Sequence, residues 1–210
     1  MNHQTSLRLS AALLLLAFTL SGCQMLYMFA GKGSQEALYT FPKGARVLIF
    51  VDVRPTAHMP AEGPLVLGEK IADHLFRHKA ADNFVAQQRL SEVRRLDDFR
   101  KMGIADIARA TDADVVLHVD VIQYTANTIS DSSISEGSAA ALVKVVDRNG
   151  NRLWPPEGTA MGAPVQARLD PLLTEQRDLN AVHKELAELL TIRIGRMFHA
   201  YDLEDKEMTK

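Results

Sequence analysis

The chain has 210 residues, 47% of them apolar and 6% aromatic, with 24 Lys and Arg against 26 Asp and Glu, and one cysteine. This balance fits one globular domain plus a short extra segment and excludes collagen-like, disulfide-rich and highly charged disordered classes. The charges are interspersed and sum to -2, so there is no electrostatic footprint for nucleic acid, and a single thiol closes no internal disulfide.

Residues 1–22 carry one charged side chain, Arg8, ahead of the apolar run 11–20 and then Ser21-Gly22-Cys23. A basic start, a short apolar run and small residues before a cut site are what export requires, and the run is too short to span about 30 Å of hydrocarbon. Leu20-Ser21-Gly22-Cys23 resembles the lipobox of bacterial lipoprotein precursors. That resemblance implies cleavage between Gly22 and Cys23, diacylglyceryl transfer to the Cys23 thiol and acylation of the new amino terminus. Removing 22 of 210 residues leaves 188, and because Arg8 is the only charge removed the formal net charge moves from -2 to -3. Gln24, where Asp would signal inner-membrane retention in such lipoproteins, implies the outer membrane. Residues 23–44 then read as anchor and tether; within them the apolar 25–30 could lie on the bilayer surface or pack on the domain.

The body, residues 45–200, reads as a single α/β domain. Residues 45–53 are almost continuously apolar and β-branched, as a strand buried on both faces requires. Pro64 suits a first helical turn, and Leu67, Ile71, Leu75 and His78 recur at four- and three-residue spacing in a helix reaching about residue 79. Residues 83–86 read as a short second strand, 89–95 as a basic helix and 104–111 as another helix. The clearest strand is 114–124, with Val115, Leu117, Val119 and Val121 on one face and Val116, His118, Asp120, Ile122 and Tyr124 on the other. A polar loop, 126–137, precedes a strand at 138–147, and Asn149-Gly150 turns it into a hairpin with 152–154. After an irregular stretch, Asp178 caps a long helix bearing Val182, Leu186, Leu189, Leu190 and Ile194, and 201–210 is a charged tail. The fold class is therefore α/β with α+β character: a single three-layer-like domain with a mixed sheet, parallel first strands, an antiparallel C-terminal hairpin and a long C-terminal helix.

The segments at 67–75, 88–90, 107–121 and 143–154, taken together and in this order, resemble a group of bacterial envelope lipoproteins. They are also similar to the periplasmic α/β domain of the curli-secretion channel lipoprotein and to the amino-terminal domain of the Tol-system protein TolB. The resemblance implies fold more than function. The loop at 126–137 is too short and polar to supply membrane-spanning hairpins, so it implies the soluble domain alone and not a pore.

His74 and His78 stand four residues apart near Asp73, but no third metal ligand is evident and the Glu of a His-Glu-x-x-His motif is replaced by Leu75. His118 and Asp120 share a strand face with Tyr124, an arrangement also expected of a half-exposed strand, and no Gly-x-Ser-x-Gly nucleophile turn occurs. Arg89, Arg94, Arg95, Arg100 and Lys101 interleave with acidic residues and read as a solvated face. Trp154 reads as a core or edge anchor. No catalytic, cofactor-binding or metal residue is assigned from the sequence, and no cofactor is expected. The expected partners are the membrane, through lipidated Cys23, and an envelope protein, with no nucleic acid. The function this points to is a lipid-anchored periplasmic protein acting through protein contacts. The alternatives are an envelope hydrolase or ligand binder using His118 and Asp120, and a subunit of a secretion assembly.

Overall fold

The computed structural model of the protein describes residues 33–128, 135–156, 161–169 and 178–202. The lipobox with Gly22 and Cys23, the apolar segment 25–30 and the end of the charged tail from 203 onward lie outside the described residues.

The elements run β1 (Ser34–Gln35), β2 (Val47–Val53), α1 (Gly63–Arg77), α2 (Gln87–Arg94), a 3-10 turn (Phe99–Lys101), α3 (Ile104–Thr111), β3 (Val115–Thr128), β4 (Ser135–Asp147), β5 (Arg152–Trp154), β6 (Ala163–Arg168), α4 (Leu179–Gly195) and β7 (Tyr201–Asp202). The sheet is mixed. β2 pairs parallel with β3 over its whole length, Val47 opposite Val115 through Val53 opposite Val121. β3 pairs antiparallel with β4, and both β5 and β6 pair antiparallel with β4. No helix among the described residues is long and apolar enough to cross a membrane.

Helices cover both sheet faces, which makes three layers. Val47, Ile49, Val51, Leu117, Val119, Val143 and Val145 meet Leu67, Ile71 and Leu75 of α1 and Leu186, Leu190 and Ile194 of α4 in the larger core. Leu48, Phe50, Val116 and Val146 meet Leu90 of α2 and Ile107 and Ala108 of α3 in the smaller one. β2 contributes to both, which is why its sequence shows a continuous apolar run from Val47 to Val51 rather than alternation. Burying a Leu or Ile in either core stabilises the fold by roughly 1.5–3 kcal/mol.

Pro64 sits in the first turn of α1, where its missing N–H costs no hydrogen bond. α4 begins at Asp178, whose carboxylate accepts the Ala181 amide at 2.7 Å. Asp178→Ala is expected to lower stability by about 1 kcal/mol, measured by urea denaturation, because it leaves an amide of the first turn without that partner.

Four features depart from the sequence reading. Residues 83–86 are not a strand: Phe84 makes one isolated parallel bridge to Val47. Side chains of α2 take over the rest of that edge, Gln87 Nε2 donating to the Ile49 carbonyl at 2.8 Å and Arg94 to the Val51 carbonyl at 2.6 Å. Gly68 permits this, since a Cβ there would lie 2.8 Å from Gln87 Oε1. Second, the register between β3 and β4 shifts between Val121 and Gln123; the extra residue reverses the alternation and turns Tyr124 onto the larger core, 2% exposed, away from the face of His118. Third, β3 and β4 extend through much of the expected loop, to Thr128 and from Ser135. Fourth, the irregular stretch before α4 contains β6, which carries Pro164 and, among the described residues, pairs with β4 alone.

The segments flanking 45–200 also pack on the domain. Phe41 is buried, its ring 5.2 Å from that of Phe198, the Met197 carbonyl accepts the Leu38 amide at 2.8 Å, and β1 pairs antiparallel with β7.

Candidate functional site

The strand face proposed to carry chemistry holds His118 at 8% exposure, its ring 5.2 Å from Phe50. Its Nδ1 is buried without a hydrogen-bond partner. Asp120, two residues on, belongs to Arg54, whose Nε and NH2 reach its carboxylate at 3.2 and 2.7 Å. Arg54 follows β2 directly, so the parallel register of Asp52 with Asp120 brings the two together. The three residues grouped on this face are thus separated: His118 packs on an aromatic ring, Asp120 is held by a guanidinium, and Tyr124 lies on the opposite face with its hydroxyl donating to the His183 carbonyl at 3.2 Å. Burial pushes the Tyr124 hydroxyl up to about 12.

Burial, and secondarily the nearby Lys144 ammonium, lower His118 to about 4, with Asp52 and Asp120 opposing. The ring is therefore neutral in the fold at pH values where the unfolded chain, with its ordinary value near 6.5, takes up a proton. Stability then has no dependence on this group above about pH 6.5 and falls as pH drops from there toward about pH 4, by up to about 3 kcal/mol. His118→Leu is expected to flatten this slope, read from urea unfolding free energies between neutral pH and about pH 4.

A second constellation is one the sequence only half displayed. His74 and His78 project from the last turn of α1 and its cap. His199, which follows α4, meets them from 125 residues along the chain from His74, with His74 Nε2 and His199 Nε2 3.0 Å apart. The His78 and His199 rings stack at 4.1 Å between centroids and 8° between planes, and those of His74 and His78 lie 4.4 Å apart. His74 and His199 are buried, at 6% and 7% exposure, whereas His78 is exposed.

Two details position these rings. His199 Nδ1 lies 2.9 Å from the Ala200 carbonyl; because a carbonyl only accepts, Nδ1 carries the proton and Nε2 presents its lone pair to His74. Gly195 makes room for His74, since a Cβ there would collide with His74 Cδ2 and Nε2. The neighbouring carboxylates are engaged elsewhere, Asp73 by Arg77 at 2.9 Å and Glu188 by Lys70 at 2.7 Å. Burial first, then the neighbouring His78 and His199, lower His74 to about 4, and burial likewise lowers His78. The i, i+4 pair is visible in the sequence; His199 is not, because nothing local marks a lone histidine beside a charged tail as its companion.

The basic stretch includes one half-buried member, Arg94, whose guanidinium lies 5.6 Å over the Phe50 ring. Trp154 is 8% exposed and meets Phe198 edge-on at 5.6 Å, as a core anchor does.

No family model matches the chain, and no curated protein matches it by sequence. Among solved structures the chain is similar to a single-residue variant of PelC, a dodecamer from Paraburkholderia phytofirmans, at 15% identity and a TM-score of 0.48, over 80% of this chain and 96% of that one. It is also similar to the lipoprotein GNA1162 of Neisseria meningitidis, at 13% identity and a TM-score of 0.44, over 72% and 99% of the two chains. A minor lipoprotein of Acinetobacter baumannii is similar at 14% identity and a TM-score of 0.36, over 75% and 92%.

Proposed function

We propose that this chain is a bacterial envelope lipoprotein, held to the membrane through acylated Cys23, that presents its α/β domain to the periplasm and works through protein contacts. The observation that carries this reading is the lipobox Leu20-Ser21-Gly22-Cys23 placed directly after an apolar run of export length. The chain has no other cysteine, so lipidation accounts for its entire thiol chemistry. Gln24 directs the anchored protein to the outer membrane.

The engagement of Asp120 by Arg54 supports contact over hydrolysis, because it takes from His118 the carboxylate that a catalytic dyad needs. The test is growth on labelled palmitate followed by immunoprecipitation and membrane fractionation. Label in the chain, together with its recovery in the outer-membrane fraction, is the expected result. An unlabelled chain recovered as soluble periplasmic protein overturns the reading.

A further inference from the structure

We propose that His74, His78 and His199 form a three-imidazole site for a late first-row divalent metal ion of the Zn2+ class. One ring nitrogen from each of the three lies within 4.8 Å of the other two. Zinc–imidazole bonds of about 2.0–2.1 Å in tetrahedral geometry place ligand nitrogens about 3.3 Å apart. The His74 and His199 Nε2 atoms, at 3.0 Å, need only a few tenths of an ångström of separation to accept an ion between them.

The chemistry of the donor set fits. Imidazole nitrogens suit zinc, copper and nickel, and a set without carboxylate or other oxygen donors disfavours calcium and magnesium. His199 Nδ1 already donates to the Ala200 carbonyl, the outer-shell arrangement that fixes tautomer and orientation in metal-ligating histidines. In the metal-free protein His74 Nε2–H donates to the His199 Nε2 lone pair; on binding, the ion takes the place of that proton, which moves to His74 Nδ1. The imidazoles stay neutral, and one coordination position remains for water or an incoming ligand atom.

The surroundings single out this cluster. Gly195 leaves the volume that the His74 ring fills, and an alanine would close it. Asp73 and Glu188 are paired with Arg77 and Lys70, so the rings are left to one another. Exposed His78 gives a path from solvent to the two buried ligands. The site is carried by the folded domain and is independent of the lipid anchor.

The experiment uses the full-length lipoprotein in detergent, purified without a histidine tag and stripped with chelator. It is titrated with Zn2+ by calorimetry and with Co2+ by visible absorption. One ion per chain, the intense absorption of four-coordinate Co2+ and a Zn2+-dependent rise in Tm are expected. His78→Ala leaves the core untouched and is expected to weaken Zn2+ at least tenfold, since even an outer-shell partner commonly matters that much. His78→Gln repeats the measurement if the alanine variant melts lower without metal. Absence of stoichiometric binding, or an affinity unchanged in both His78 variants, overturns the site and leaves the cluster a hydrogen-bonded histidine pair with a third ring stacked on it.

Discussion

Cys23→Ala is expected to move the protein from the membrane pellet to the soluble fraction and to abolish incorporation of labelled fatty acid. A single acyl chain holds a protein only marginally, with a partition constant of about 10⁴ M⁻¹, while each further buried methylene contributes about 0.8 kcal/mol. A thiol-linked diacylglyceryl group with an amide-linked third chain therefore anchors far more stably than one chain, and losing the thiol removes the site at which assembly of that group begins. No helix among the described residues offers a second means of spanning the bilayer. Unchanged fractionation with label retained would sink the anchor assignment. The urea transition of the variant's folded domain should match that of the native chain, because both cores are built from residues far along the sequence from position 23.

Leu117→Ala is expected to cost about 3 kcal/mol, within the range of about 2–5 found for buried leucine truncations. Leu117 is fully buried near the start of β3, with Ile49 and Val145 opposite it on the flanking strands and with α1 and α4 above. The site is flanked on two sides by hydrogen-bonded strands and covered by helices, so collapse into the vacated volume is restricted. Against a total stability of about 5–15 kcal/mol for a domain, the loss should lower the urea midpoint with little change in slope. Leu96→Ala, at a position 49% exposed, serves as control and should stay within about 0.5 kcal/mol. A Leu117 variant as stable as that control would mean that β3 is not the centre of the sheet.

The parts of the fold legible in the sequence are those governed by local periodicity. β2 announces itself by an almost continuous apolar run, β3 by alternation, the β4–β5 hairpin by Asn149-Gly150 and α4 by Asp178 with its recurring leucines. The parts missed depend on partners distant in sequence. β6 is six residues long and contains Pro164, so its propensity is poor; pairing with β4 rather than composition makes it a strand. The inserted residue that reverses Tyr124 leaves no local mark in a run of otherwise regular alternation. Residues 83–86 look like a strand because Phe84 and Val85 pack inward, yet their backbone bonds reach only Val47, and those a longer strand would make to Ile49 and Val51 come from the side chains of Gln87 and Arg94. The histidine cluster follows the same rule: a helical pair can be read from spacing, but the third member arrives through tertiary folding.

The outer margin of β2 has a consequence for how this domain can associate. The carbonyls of Val47, Ile49 and Val51 accept from Val85, Gln87 and Arg94, and the Val53 amide lies 3.0 Å from Asp52 Oδ1. An incoming β-strand from another polypeptide would find these acceptors occupied and would have to dislodge α2 to reach them. The arrangement acts as a molecular stopper against runaway polymerisation. Any assembly built by backbone zippering must therefore grow from the opposite flank of the sheet, or else rely on side-chain surfaces alone.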